Sequence, residues 1–94
     1  MPGRAQEEIQ DAAVASFLAY LQAEVAASPY TLRNYRQALL EFGQWFAGEH
    51  RCAPNWLTLK RMDFRAYLRF LGRGNLSRSA VQLRFSALRS FYKH

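Results

Sequence analysis

Apolar residues recur at steps of three and four along four stretches of this sequence, and that spacing gives a helix one apolar face. In the first stretch the recurring residues are Val14, Phe17, Leu18, Leu21 and Val25. No stretch shows the strict alternation of a half-buried strand. The pattern predicts an all-α domain with a four-helix, bundle-like architecture, built as two crossed antiparallel hairpins.

Capping residues and glycines set the boundaries of the first two helices. The first helix is predicted over roughly Glu8 to Ala26. The second begins at Ser28-Pro29, because a serine hydroxyl accepts a free backbone N–H and proline has none to leave unpaired. It is predicted to continue to about Ala47, with Gly48 ending it. Its buried face is predicted to hold Leu32, Tyr35, Leu39, Phe42 and Phe46.

Residues 49–57 carry the signals of a loop. Pro54-Asn55 supplies turn chemistry at its centre. Trp56 and Leu57 are predicted to tuck back into the core, because both side chains are large and apolar.

The third and fourth helices follow this loop. Thr58 is predicted to cap the third, and Gly72 and Gly74 to break it. Ser77 is predicted to cap the fourth, which runs to His94 without a stop signal, so we expect the chain to be a piece of something longer. The predicted buried faces hold Met62, Phe64, Tyr67, Leu68 and Leu71 in the third helix, and Ala80, Leu83, Ala87, Leu88 and Phe91 in the fourth.

Positive charge is concentrated in the second half of the chain. The 94 residues, with a net charge of +6, make one domain. Residues 1–30 contain one base and four acids, whereas residues 51–94 contain ten Lys or Arg and one acid, Asp63. This gradient suits a polyanionic partner approached from one side. A merely soluble basic surface also fits the charge alone.

The residues that most chemistry requires are scarce. Cys52 is the only cysteine, which excludes an internal disulfide and a cysteine-based metal site. With only His50 and His94 beside it, we predict no metal site, no cofactor and no catalytic set. So small a core leaves little room for a small-molecule pocket. The longest apolar stretch, Ala12 to Leu21, is about half of what spans a bilayer, so we expect no membrane contact and a cytoplasmic location.

Two helices carry polar faces suited to nucleic acid. The face of the fourth helix contains cations, amides and hydroxyls but no carboxylate: Arg78, Ser79, Gln82, Ser86, Arg89, Ser90 and Lys93. The face of the second helix holds Tyr30, Arg33, Asn34, Gln37 and Gln44, with Arg36 on its flank. A solvated face normally mixes both signs of charge, so these faces favour phosphates and base edges.

Two further residues on these helices have specific expectations. Thr31 lies in the first turn of the second helix, where free N–H groups and the helix dipole favour a phosphate. It can equally serve only to support the cap, and the sequence leaves both roles open. Arg84 lies inside the apolar arc of the fourth helix, so we expect a structural ion pair or carbonyl contact rather than DNA readout.

Three segments stand out by their order and spacing. They are FLAYLQAEVAASPYTLRNYRQAL at residues 17–39, the helix from Thr58 to Leu71, and LSRSAVQLRFSALRSFY at residues 76–92. Together they resemble the tyrosine site-specific recombinases, the family of phage integrases and Xer recombinases, and within it the XerC-like members. The Ser-Pro-x-Thr-Leu opening of a helix and the Ser-Ala-Leu-Arg-Ser-Phe run are similar to segments of that family. Val25-Ala26-Ala27 departs from it, replacing a commonly charged stretch.

The resemblance implies that residues 1–94 form a helical core-binding (SAM-like) domain that grips one arm of a recombination site. In that family a C-terminal domain, here beyond His94, supplies the catalytic residues, and four protomers exchange DNA strands. The fragment itself is then no enzyme, its partners being duplex DNA and, in the parent protein, other recombinase protomers. The resemblance assigns DNA contacts to Thr31, Arg33, Asn34, Gln37, Arg78, Ser79 and Gln82, to which the charge pattern adds Arg36 and Arg89.

Several functions remain open from the sequence. A XerC-like protein would act in chromosome dimer resolution, whereas a phage or integron integrase would share the same motifs. A small transcriptional regulator needs a helix-turn-helix with a short turn, and the predicted link GRGNLS is too long for one. A helical protein-interaction module would expose Trp45, Trp56 and Phe85 as an apolar patch.

Overall fold

All regular elements of the described chain are helical. The computed structural model describes residues 11–94, and the part of the first helix predicted over residues 8–10 lies outside them. Helix α1 spans Ala12–Tyr20 and continues as a π-helical turn over Leu21–Val25; α2 spans Pro29–His50, α3 spans Arg61–Arg73, and α4 spans Arg78–Lys93. No strand occurs between residues 11 and 94, and the prediction of an all-α fold is confirmed.

Helix α1 begins directly after Asp11, which has an extended backbone and whose carboxylate has two structural roles. Its Oδ1 accepts hydrogen bonds from the N–H groups of Ala13 at 3.0 Å and Val14 at 3.1 Å. Its Oδ2 accepts one from the indole N–H of Trp56 at 2.8 Å. The same side chain therefore caps α1 and ties the loop before α3 to it.

Helix α2 begins as predicted and ends later. The Ser28 hydroxyl accepts the N–H of Thr31 at 3.1 Å, with Pro29 at the first helical position. The prediction that Gly48 ends the helix is wrong, because Gly48 stays helical and Arg51 takes the left-handed conformation at φ 63°. The last turn is supported by the His50 ring, which stacks on Phe46 at 4.1 Å between centroids.

Helix α3 starts later than the sequence suggested. The prediction that Thr58 caps it is wrong: the Thr58 hydroxyl donates to the carbonyl of Asn55 at 3.2 Å. The helix begins after Lys60, whose N–H donates to the Asp63 carboxylate at 2.8 Å. Asp63, at the third helical position, thus satisfies a backbone donor at this end.

The connection between α3 and α4 is shorter than predicted. Gly72 lies inside α3 and only Gly74 stands at its end, so the link consists of residues 74–77 rather than 72–77. Ser77 caps α4 as predicted, and its hydroxyl accepts the N–H of Ala80 at 3.1 Å. A four-residue link no longer argues against a helix-turn-helix, and that part of the prediction is wrong.

One aromatic centre holds the four helices together. Phe42 of α2 is fully buried, and its ring meets Tyr67 of α3 edge-on at 4.9 Å. Trp56 reaches the same centre, 5.5 Å from Phe42 and 4.7 Å from Phe91 of α4 between ring centroids. The buried apolar residues are Val14, Phe17, Leu21, Ala38, Leu39, Phe42, Phe46, Tyr67, Leu71, Ala87, Leu88 and Phe91.

Five residues predicted to be buried are exposed instead: Val25, Leu57, Met62, Leu68 and Leu83. Leu57 follows a turn closed by the Asn55 side chain, which accepts its N–H at 3.1 Å, and it is 95% exposed. Met62 lies five positions before the buried Tyr67, which puts it on the other side of α3. Leu68 and Leu83 sit at the edges of their apolar arcs, and Val25 lies in the π-helical turn, where the helical register changes.

Candidate nucleic-acid interface

Most of the polar face of α4 is open to solvent, although Ser86 and Ser90 are half-buried. Arg78, Ser79, Gln82 and Arg89 are all exposed. The guanidinium of Arg89 donates to the Ser86 hydroxyl at 3.3 Å. Within residues 11–94, the side chains of Arg78, Ser79 and Gln82 form no hydrogen bond. Because α4 contains no carboxylate from end to end, these groups can meet an anion without competing with an acid on their own helix.

Part of the polar face of α2 is held by contacts within the protein. Arg33 is exposed and its guanidinium carbon lies 5.6 Å from the centroid of the Tyr30 ring, a cation–π arrangement. Asn34 and Arg36 are half-buried, and Gln37 is exposed. The Tyr30 ring is itself 67% exposed. This pair therefore presents a cation and an aromatic face together at the start of α2.

Thr31 takes part in capping α2. Its backbone N–H donates to the Ser28 hydroxyl, which in turn donates to the Thr31 hydroxyl oxygen at 3.1 Å. These hydrogen bonds confirm that Thr31 supports the cap. A phosphate contact by Thr31 stays a prediction.

An ion pair between Glu41 and Arg84 joins α2 to α4. The Arg84 Nε and Nη2 both lie 2.9 Å from Glu41 Oε1, and its Nη1 donates to the Ala80 carbonyl at 3.0 Å. The Glu41 side chain is 32% exposed and the Arg84 side chain is 18% exposed. An ion pair or a carbonyl contact was expected of Arg84, and Arg84 makes both. The other Glu41 oxygen, Oε2, accepts a hydrogen bond from the Gln37 amide at 3.0 Å.

Tyr67 lies beside this ion pair. Its hydroxyl is buried and has no hydrogen-bond partner in residues 11–94. Burial raises the pKa of Tyr67 to about 12; the negative charge of Glu41 adds to the rise, and the Arg84 guanidinium opposes it. The hydroxyl therefore stays protonated over the physiological range.

The structure links the polar face of α2 to the apolar arc of α4, not to its polar face. Gln37 reaches α4 through Glu41 and Arg84, whereas Arg78, Ser79 and Gln82 make no hydrogen bond to α2 within the described residues. Sequence reasoning placed Gln37 on the face but missed its partner. The four-residue spacing of Gln37 and Glu41 was the available signal, since side chains at that spacing are neighbours on a helix.

Three observations on residues 11–94 concern other kinds of site. That part of the chain contains no group of three or more His, Cys, Asp or Glu placed to hold a metal ion. None of its helices is long and apolar enough to cross a membrane. Trp45, Trp56 and Phe85 are half-buried and pack against the core, so the exposure that a protein-interaction module requires of them is not found.

Comparison with known proteins identifies similar chains. Residues 14–94 match the family model of the phage integrase N-terminal SAM-like domain. The chain is 36% identical over 86 residues to the tyrosine recombinase XerC of Staphylococcus aureus strain USA300. This match covers 92% of this chain and 26% of that relative. It is 40% identical over 78 residues to the tyrosine recombinase XerC of Oceanobacillus iheyensis. This match covers 83% of this chain and 25% of that relative. The chain thus spans about a quarter of the length of these curated relatives. No solved structure matches it.

Proposed function

The chain belongs to the family of phage integrase N-terminal SAM-like domains, and on that premise we propose that it binds duplex DNA as the core-binding domain of a XerC-like tyrosine recombinase. The open face of α4 carries the proposal, because its exposed side chains are cations, amides and hydroxyls with no acid among them. A basic surface of this composition suits the phosphates and base edges of a double helix.

The residues divide into two roles by their chemistry. Arg33, Arg36, Arg78 and Arg89 neutralise phosphates, and the hydroxyls of Thr31 and Ser79 donate to phosphate oxygens. The amides of Asn34, Gln37 and Gln82 reach base edges in the major groove. Phosphate contacts give affinity for any duplex, whereas the amides give preference among sequences.

Strand cleavage and rejoining belong in this proposal to the rest of a longer parent protein. The domain grips one arm of a recombination site, and further recombinase protomers on the same DNA are its protein partners. The similarity to two XerC proteins favours a chromosomal role, site-specific recombination that resolves chromosome dimers in the cytoplasm, over a phage or integron role. The same family match favours a recombinase over a helix-turn-helix regulator.

A salt titration tests the electrostatic part of the proposal. The 94-residue chain is titrated onto a fluorescent random-sequence duplex at several salt concentrations. If it neutralises about five phosphates, log K falls against log salt with a slope of about −4 to −5. A slope near zero, or no binding even at low salt, contradicts the proposal.

Two arginine variants with a matched control test the location of the interface. Arg33→Ala and Arg78→Ala are expected to weaken binding to every sequence and to reduce the salt slope by about 1 each. Arg65→Ala removes the same charge from an exposed position on α3, outside both faces, and is expected to change the slope by much less. Equal effects from all three variants mean that the face is wrong.

A further inference from the structure

The Glu41 carboxylate accepts a hydrogen bond from the amide of Gln37 at 3.0 Å. We propose that Glu41, itself fixed by Arg84, is a positioning residue that turns the Gln37 carbonyl oxygen toward DNA, so that α2 selects a base carrying a major-groove amino group, adenine or cytosine. The inference rests on the proposed function, because it assigns Gln37 a base edge. It adds the identity of the group that this face reads and the residue that sets it.

The first step is that the Glu41 carboxylate is held in a fixed position by Arg84. Two nitrogens of the Arg84 guanidinium lie 2.9 Å from Glu41 Oε1, and the third nitrogen is bound to the Ala80 carbonyl. A guanidinium stays charged at any ordinary pH and binds in a rigid fork. Glu41 is therefore an ionised carboxylate held against α4, with Oε2 left to accept from another donor.

The second step is the direction of the amide. An ionised carboxylate can only accept hydrogen bonds, whereas a glutamine amide has an NH₂ donor on one side and a carbonyl oxygen on the other. Gln37 Nε2 lies 3.0 Å from Glu41 Oε2. The opposite orientation would set two acceptor oxygens against each other, so the Gln37 oxygen points away from Glu41.

The third step is the pattern on the DNA. In the major groove, adenine N6 and cytosine N4 are donors, whereas guanine O6 and thymine O4 are acceptors. A carbonyl oxygen fixed toward the groove accepts from the first two and repels the second two, which can pair only with the single amide N–H that Glu41 leaves free. A glutamine without a neighbouring carboxylate can turn its amide over and adapt to either kind of base.

The exchange Glu41→Gln tests the mechanism. A carboxamide at this position can donate as well as accept, so the Gln37 amide is released to take both orientations. The 94-residue chain and its variants are each mixed with a randomised duplex library, and the bound fraction is sequenced. For the unaltered chain we expect one position at which adenine or cytosine is enriched about tenfold over guanine or thymine, falling below about threefold in Glu41→Gln.

Glu49→Gln is the matched control, because it removes an exposed carboxylate from the same helix. Both exchanges raise the affinity for any duplex by a similar factor, since each removes one negative charge. Only Glu41→Gln is expected to lower the base preference. A preference that falls equally in both variants overturns the inference.

Gln37→Ala completes the test. Gln37 is exposed, so this variant keeps the fold even if Glu41→Gln does not, and it is expected to lose the same adenine or cytosine preference. Glu41→Gln added to Gln37→Ala is expected to change the preference no further, because a positioning residue has nothing left to position. Binding without any such preference, or a preference undiminished by Glu41→Gln, overturns this inference alone. An unaltered chain that binds no duplex overturns the proposed function as well.

Discussion

The polar faces of α2 and α4 differ in how firmly the protein holds them. On α2, Arg33 lies against the Tyr30 ring and the Gln37 amide is bound to Glu41. On α4, Arg89 donates to the Ser86 hydroxyl one turn away, but Arg78, Ser79 and Gln82 are exposed and form no side-chain hydrogen bond within residues 11–94. A held group presents one pattern of donors and acceptors, whereas an unheld group adapts to what it meets and loses side-chain entropy in doing so. We therefore expect α2 to discriminate among bases and α4 mainly to supply phosphate affinity.

The largest expected effect concerns the ion pair that holds α2. Arg84→Met is expected to lower the free energy of unfolding by about 2 kcal/mol, because Glu41 keeps its charge in a half-buried position without its cation. Arg89→Met is the control on the same helix and is expected to cost less than about 0.5 kcal/mol, since Arg89 is exposed and contacts only Ser86. Urea unfolding measures both variants. If both variants lower the free energy of unfolding equally, the protein holds the α2 face no more firmly than the α4 face.

The dependence of stability on alkaline pH tests the environment of Tyr67, which lies beside the ion pair. Tyr67 has a pKa of about 12 in the folded protein, against 10.0 ordinarily, chiefly through burial. Below pH 10 the protonated Tyr67 hydroxyl contributes fully to the free energy of unfolding. This contribution is lost as the pH rises from 10 to 12, because the tyrosine of the unfolded chain releases its proton at a lower pH than Tyr67 in the folded chain. The loss is expected to be about 1–2 kcal/mol.

Tyr67→Phe isolates that contribution. The variant lacks the titrating hydroxyl, so its stability is expected to fall less steeply between pH 10 and 12 than that of the unaltered chain. At neutral pH its stability is expected to change by less than about 1 kcal/mol, because the removed hydroxyl forms no close hydrogen bond in the described chain and loses only its interaction with the nearby Arg84 guanidinium. Urea unfolding at pH 8, 10 and 11.5 measures both effects. Parallel losses in the two proteins show that Tyr67 does not titrate with a raised pKa.

The serine caps give a smaller effect, which we expect to be similar on the two helices. Ser28 and Ser77 each accept one backbone N–H at 3.1 Å at the start of α2 and α4. Replacing either with alanine is expected to lower the free energy of unfolding by about 1 kcal/mol. Ser90→Ala, at a half-buried position inside α4, is the control and is expected to stay within about 0.5 kcal/mol. A cap variant no worse than this control contradicts the assigned capping role.

The caps also show what local sequence can predict. Ser28-Pro29 and Ser77 were sufficient to place the starts of α2 and α4, because capping depends on residues only three positions apart. The end of α2 was misplaced by the same local reasoning, because a glycine can end a helix or stay inside one. Gly48 stays helical, and His50 stacks on Phe46 one turn earlier. Only the burial of Phe46 in the core depends on the rest of the fold.

The same distinction between local and long-range contacts applies to the candidate site. The sequence placed Arg33, Gln37 and Arg78 on solvent-facing arcs, because helical periodicity alone determines which arc a residue occupies. The sequence also indicated that Arg84, inside an apolar arc, needs a polar partner. It could not identify Glu41 as that partner, because the two residues lie 43 positions apart and only the packing of α2 against α4 brings them together.

The smallest expected effect compares the two glutamines directly. Gln82 is exposed and forms no side-chain hydrogen bond within residues 11–94, so its amide can turn to suit a donor or an acceptor on the base edge. Gln82→Ala is expected to change the base preference by less than about threefold, or about 0.6 kcal/mol, whereas Gln37→Ala is expected to change it about tenfold. Sequencing of the bound fraction from a randomised duplex library measures both. A larger change from Gln82→Ala would mean that DNA itself orders the α4 amide as firmly as Glu41 orders Gln37, and the division of roles between the two helices would then not hold.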